Sequence, residues 1–184
     1  MEYLALYRKY RPAVLDEMVG QSEIRKILAS SIKNNTISHA YLFSGPRGTG
    51  KTTTAKQQCK SLKELQHPVL GKSYLKLADT NPIELLKGEK PMLIDEWQMA
   101  PELWGAVRYL VDESDEDGLY VLTGSTTVDV NKIVHNGAGR IKRIVMRPMS
   151  LYESGESTGE ISLMDLFDDN RIDNTIRPET IDEY

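Results

Sequence analysis

Apolar and polar positions along this chain follow two alternating rhythms. At residues 22–34, Ile24, Ile27, Leu28, Ser31 and Ile32 recur at helical spacing. They predict an amphipathic helix that starts near Gln21 or Ser22 and stops at Asn34-Asn35. Residues 39–44 (HAYLFS) switch to a short apolar and aromatic run, the pattern of a buried strand. After a glycine-rich stretch, residues 51–62 resume as helix. Between 63 and 90 the pattern predicts a strand near 63–66 and helices near 70–78 and 82–86.

The strand rhythm returns at residues 90–96 (KPMLIDE), four apolar residues that run into two acids. Pro101 then opens a helix with Leu103, Trp104, Val107, Leu110 and Val111 on one face; proline is tolerated in a first turn because no N–H is needed there. Asp117-Gly118 signals a turn, and residues 119–123 (LYVLT) form the next strand. Residues 140–146 (RIKRIVM) alternate, predicting a strand with one wet face. Beyond Phe167 no period is sustained. Strands that alternate with helices predict an α/β domain around a mostly parallel sheet.

Composition narrows the class. A chain of 184 residues, 40% apolar and 27% charged, has room for one globular domain and one sizeable core. No apolar run is long enough to span a bilayer, and no secretory signal is read at the start, so a cytoplasmic protein without membrane partners is expected. The single cysteine, Cys59, excludes an intramolecular disulfide and a cysteine-cluster zinc site; it is expected as a buried helix residue. The net charge of −4 is unevenly spread. Residues 1–60 hold ten Lys/Arg against four Asp/Glu, and residues 152–184 hold two against ten. The basic head suits phosphates, and the acidic tail is expected to be a solvated surface.

The chemistry concentrates in one stretch. Gly45-Pro46-Arg47-Gly48-Thr49-Gly50-Lys51-Thr52 matches G-x-x-x-x-G-K-[ST] in full, with Thr53 next in line. A triphosphate needs many backbone N–H donors converging on one point, so the chain must curl through dihedrals that glycine adopts freely. The expected strand precedes the loop and the expected helix follows. Lys51 would neutralise the β- and γ-phosphates, and the Thr52 hydroxyl would ligate Mg²⁺.

Holding a triphosphate does not cleave it. Parallel strands end near such a loop, so acids at the end of an apolar strand are the expected complement. Asp95 would hold the metal shell, and Glu96 would act as base on the attacking water. A hydroxyl at Ser125 or Thr123 would sense the γ-phosphate from the end of the next strand, although an N-cap or turn role is the plain alternative. Arg140, Arg143 and Arg147 are candidates to meet transition-state charge, with Arg140 taken as the catalytic one. Guanine readers normally use Asn-Lys-x-Asp, and here Asn131-Lys132 is followed by Ile133-Val134, which disfavours a GTPase.

Two family resemblances follow from these motifs. Residues 1–52, notably Tyr3-Leu4-Ala5-Leu6-Tyr7-Arg8-Lys9-Tyr10-Arg11-Pro12, Val19-Gly20-Gln21 and the run from Ser38 to Thr52, resemble the amino terminus of the bacterial DNA polymerase III γ/τ clamp-loader subunit. That resemblance implies that Tyr7, Arg11, Pro12, Val19 and Gly20 wrap the adenine and ribose. The family's four-cysteine zinc module and Ser-Arg-Cys arginine finger are absent from this sequence, and Asp95-Glu96-Trp97-Gln98 stands in place of Asp-Glu-Val-His. Residues 51–167 are instead similar to bacterial and archaeal AAA-type ATPases that carry a carboxy-terminal nuclease-like domain. The matching stretches are KTTTAKQQ (51–58), LIDEWQ (93–98), APELW (100–104), LTGS (122–125) and GAGRIKRIVMRPMSLYESGES (137–157). Chains of that family run on further than this one, so their second domain is expected to be missing here. The chain reads as a mosaic joined near the phosphate loop.

The resemblance implies a P-loop NTPase three-layer sandwich with strand order 5-1-4-3-2. It also implies a division into a base-binding segment (1–20), an ATPase core (21–167) and a loose acidic tail (168–184). The expected cofactors are ATP and Mg²⁺. The expected partners are nucleotide, a protein partner or further copies of the chain and, on the clamp-loader reading, DNA.

Overall fold

The computed structural model describes residues 20–34, 36–125 and 139–155, with Ser157 and Gly159. The base-binding candidates Tyr7, Arg11, Pro12 and Val19, and the expected acidic tail, lie outside the described residues. The chain divides into two compact units, residues 1–149 and 150–184.

In the first unit the described elements run α1 (Ser22–Lys33), β1 (Ala40–Ser44), α2 (Lys51–Lys56), β2 (Ser61–Glu64), α3 (Gly71–Thr80), α4 (Pro82–Leu85), β3 (Met92–Asp95), a 3-10 turn (Trp97–Met99), α5 (Glu102–Asp112), β4 (Tyr120–Gly124) and β5 (Ile141–Val145). The five strands form one parallel sheet in the order β2-β3-β4-β1-β5. Read from its other edge this is 5-1-4-3-2, the order expected from the resemblance.

Two apolar layers sandwich the sheet. On one face Ile24 and Leu28 of α1 and Ala55 of α2 pack on Tyr41, Phe43, Leu93, Val121 and Ile144. On the other, α3, α4 and α5 pack on Ala40, Leu42, Met92, Ile94, Tyr120 and Leu122. Strands covered on both faces are buried along their whole length, as β1, β3 and β4 are. They read as near-continuous apolar runs up to the polar residues at their carboxyl ends, Ser44, Asp95 and Thr123. Trp97 and Trp104 pack against each other at 5.4 Å within the second layer.

Two expectations are corrected. The helix read across residues 51–62 ends at Lys56, because the Lys60 N–H bonds to the Pro91 carbonyl at 2.8 Å and draws the chain into β2 beside β3. Sheet pairing overrides local helical pattern there. Cys59 is therefore not a helix residue: it is half-buried between α2 and β2, and burial pushes its thiol up to about 12. In α1, Ile24 and Leu28 are buried as read, whereas Ile27 faces solvent.

In the second unit, α6 (Leu151–Ser154) opens with a capping box in which Ser150 and Glu153 bond each other's backbone, and it ends at Gly155 in the left-handed region.

Candidate functional site: a phosphate loop facing two acids

β1 runs directly into the glycine-rich loop, whose Gly45, Gly48 and Gly50 all have positive φ. Gly45 is required twice over, because a Cβ there would stand 2.1 Å from the Met146 carbonyl oxygen just after β5. Thr49 braces the loop by donating to the Pro46 carbonyl at 3.0 Å, and the Thr54 N–H bonds to Gly50 as α2 begins. Arg47 projects into solvent, and Thr53 lies half-buried in the first turn of α2.

Lys51 folds back into this loop. Its Nζ donates to the carbonyls of Gly45 at 2.8 Å and Pro46 at 2.5 Å, and only 8% of the residue is exposed. Burial lowers its pKa, while Glu96 and Asp95 pull it upward and Arg47 pushes it down. The lysine thus feels both acids across the site.

The acids stand where β3 ends. The Thr52 hydroxyl donates to Asp95 Oδ1 at 2.8 Å, and the Thr123 hydroxyl at the end of β4 donates to the same oxygen. Three segments distant in sequence therefore converge on one buried carboxylate. The oxygen donors Thr52 and Asp95 fit Mg²⁺, which takes one or two carboxylates and fills its remaining positions with phosphate and water. Among the described residues no cluster of three His, Cys, Asp or Glu is available to cage a metal from protein alone.

Glu96 follows Asp95 with φ 57 and ψ 45, a left-handed conformation unusual for a residue with a side chain. Such a backbone costs about 1–3 kcal/mol and persists only where its surroundings impose it. It aims the Glu96 carboxylate back toward Gln98, whose amide nitrogen bonds it and also reaches the Ser125 hydroxyl at 3.4 Å. Gly124 makes room for this: a Cβ there would meet Gln98 Oε1 at 2.5 Å and Trp97 Nε1 at 2.9 Å. Gln98 was legible only as a letter in the acidic motif. The 3-10 turn that folds it under Glu96 leaves no periodic signal.

Of the three arginines, Arg143 donates to the Ser44 hydroxyl at 3.1 Å, one residue before the loop. The carbonyl of Arg147 accepts from Gln21, tying the start of α1 to the segment after β5. Arg140 is placed otherwise than expected. It precedes β5, its guanidinium sits against Asp112 at 3.4 Å, and its carbonyl bonds the Ala40 N–H at the opposite end of β1 from the loop. Five strand residues, about 16 Å, separate that end from the loop, so Arg140 does not reach a nucleotide held by its own chain.

An all-parallel sheet with the glycine-rich loop after β1 and paired acids at the end of β3, separated from β1 by β4, defines an α/β P-loop nucleoside-triphosphatase fold. A family model described as AAA domain matches residues 37–155, and the chain belongs to that family of P-loop ATPases. A segment of 69 residues, 38% of this chain, is 49% identical to DNA polymerase III subunit tau of Bacillus subtilis, of which it covers 12%. Protein STICHEL-like 2 of Arabidopsis thaliana is 29% identical over 174 residues, covering 76% of this chain and 20% of that protein. The chain thus spans a small part of the curated relatives it matches. Among solved structures, Thermotoga maritima RuvB superposes on 80% of this chain and 52% of its own with a TM-score of 0.50 at 20% identity, a likeness of fold alone.

Proposed function

We propose that this protein binds ATP with Mg²⁺ at the loop from Gly45 to Thr52 and hydrolyses it, coupling hydrolysis to a conformational change in a partner or in further copies of itself. The observation that carries this reading is the Thr52–Asp95 hydrogen bond of 2.8 Å. It joins the loop hydroxyl to the strand-end acid at the point where a metal beside the β- and γ-phosphates would sit.

In this reading Gly45, Pro46, Arg47, Gly48, Thr49, Gly50 and Thr53 surround the phosphates, chiefly through backbone N–H groups. Lys51 leaves its carbonyl partners for the β- and γ-phosphates. Thr52 and Asp95 hold Mg²⁺, which neutralises phosphate charge when bound. Glu96 takes a proton from the attacking water, and Ser125 or Thr123 reports the γ-phosphate. Tyr7, Arg11, Pro12 and Val19 line the base, as the clamp-loader resemblance implies. Arg140, too far from its own loop, serves the nucleotide of a neighbouring copy. A cytoplasmic setting suits this reading, and no described helix is long and apolar enough to cross a membrane.

Phosphate release by the purified chain with Mg·ATP tests the reading. Turnover is expected to vanish in Lys51→Ala and to fall on the order of 100- to 10,000-fold in Glu96→Gln with ATP binding retained. Unaltered turnover in both variants would refute it. The identity to DNA polymerase III subunit tau favours a second reading, a replication-associated subunit acting with DNA; stimulation of phosphate release by DNA would support it. Tight ATP binding beside flat phosphate release would instead mark a nucleotide-binding module without turnover.

A further inference from the structure

Gln98 occupies the space between the two groups to which the proposed reaction assigns water and γ-phosphate. Its Nε2 donates to Glu96 Oε2 and, at 3.4 Å, to Ser125 Oγ. Its other amide atom, Oε1, is buried with no hydrogen-bond partner. Turning the amide over would leave the Glu96 side unsatisfied, since Oε1 would then face the carboxylate, acceptor against acceptor, even though the Ser125 hydroxyl could donate to it. The carboxylate therefore dictates which way the amide points.

The backbone supports this arrangement from both directions. Glu96 holds a left-handed conformation that aims its side chain toward Gln98, and Gly124 lacks the Cβ that would strike Gln98 Oε1 and the Trp97 ring. Trp97 is itself buried and packed on Trp104, so the floor beneath Gln98 is firm.

We propose that Gln98 is a positioning residue for Glu96, its amide tying that carboxylate to the Ser125 hydroxyl so that both are aimed as one unit. The proposal rests on the reading of Glu96 as the base for the attacking water. Gln98 takes no proton and touches no nucleotide; it acts by restricting where the carboxylate points. A catalytic group displaced by about 1 Å loses on the order of 100-fold in rate, and that is the effect expected.

Steady-state phosphate release by the full chain tests it, comparing wild type with Gln98→Met and Gln98→Glu. Methionine keeps the length and bulk but removes the donor; glutamate keeps the shape but sets a second carboxylate against Glu96. Both are expected to lower kcat about 100-fold with KM for ATP unchanged, the thermal midpoint being kept in Gln98→Met and lowered by the like-charge contact in Gln98→Glu. A space-filling role would instead leave Gln98→Met at the wild-type rate. A wild-type kcat in Gln98→Met overturns the proposal. A second measurement does not need turnover or a folded Gln98 variant. The Gln98 side-chain amide resonances in ¹⁵N–¹H spectra are expected to shift in Glu96→Gln and in Ser125→Ala, and resonances unmoved by both overturn the tie. A wild-type chain that releases no phosphate would defeat the hydrolysis reading alone, and the amide spectra would still decide the role of Gln98.

Discussion

The two ends of the parallel sheet are built on opposite principles. At the carboxyl ends of the strands, polar groups are buried: Ser44, Thr49, Lys51, Asp95 and Thr123 are each at most 8% exposed. At the amino ends, charges stay half in solvent, as in Arg140 and Asp112, whose side chains are 42% and 44% exposed. The first end tolerates buried polarity because each of these five side chains has a hydrogen-bond partner within the site, and because Gly45 and Gly124 let neighbouring groups come close. The second end satisfies its charges with water and weak pairs. A buried, mutually bonded set is sensitive to any added atom, and a wet pair is not.

That contrast predicts a graded series of substitutions. The largest effect is expected for Gly45→Ala, where the new methyl would stand 2.1 Å from the Met146 carbonyl. Backbone just after β5 must then move, and a loss of about 3 kcal/mol in denaturant unfolding is expected. Gly48→Ala provides the control, because no atom lies within 4 Å of its Cβ position and only the positive φ opposes the change; about 1–2 kcal/mol is expected there. Equal losses in the two variants would show that conformation, rather than the approach of β5, governs the loop.

Gly124→Ala comes next. Its methyl would press on Gln98 Oε1 and on the Trp97 ring; the amide can yield but the packed indole cannot. A destabilisation of about 2 kcal/mol is expected, with turnover falling further than the folded fraction explains because Gln98 is displaced from Glu96. The smallest effect belongs to the wet end. Arg140→Ala removes a half-exposed pair with Asp112 and is expected to cost less than about 1 kcal/mol. ATP affinity measured by calorimetry should be unchanged, and any loss of turnover should appear only at concentrations where copies associate. A loss of turnover that persists on dilution would place Arg140 at its own chain's nucleotide and break the comparison between the ends.

Much of this architecture was legible before any fold was in view. The apolar runs of β1, β3 and β4 announced strands because each is covered on both faces. The glycine spacing announced the phosphate loop because few other backbones can curl so tightly. The acids after β3 were legible as a strand terminus. The early end of α2 was not, since the Lys60–Pro91 bond that stops it depends on β3 lying alongside. Nor was the ordering of the arginines, because alternation assigns a face of a strand but not which end of the sheet the strand's first residue occupies.

The amino-acid sequence alone determined the kinds of group available: a glycine loop with its lysine and threonine, two strand-end acids, hydroxyls after β4, and the alternation that makes an α/β sheet. These are local properties, fixed by backbone freedom and side-chain chemistry within a few residues. Tertiary structure alone decided which of those groups meet. It brought Thr52 and Thr123 onto one oxygen of Asp95 across separations of 43 and 28 residues, and it set Gln98 between Glu96 and Ser125. It also placed Arg140 about five strand residues from the loop. Strand order determines such meetings, and strand order is a property of the whole sheet, set by which apolar faces can be covered together rather than by any one segment.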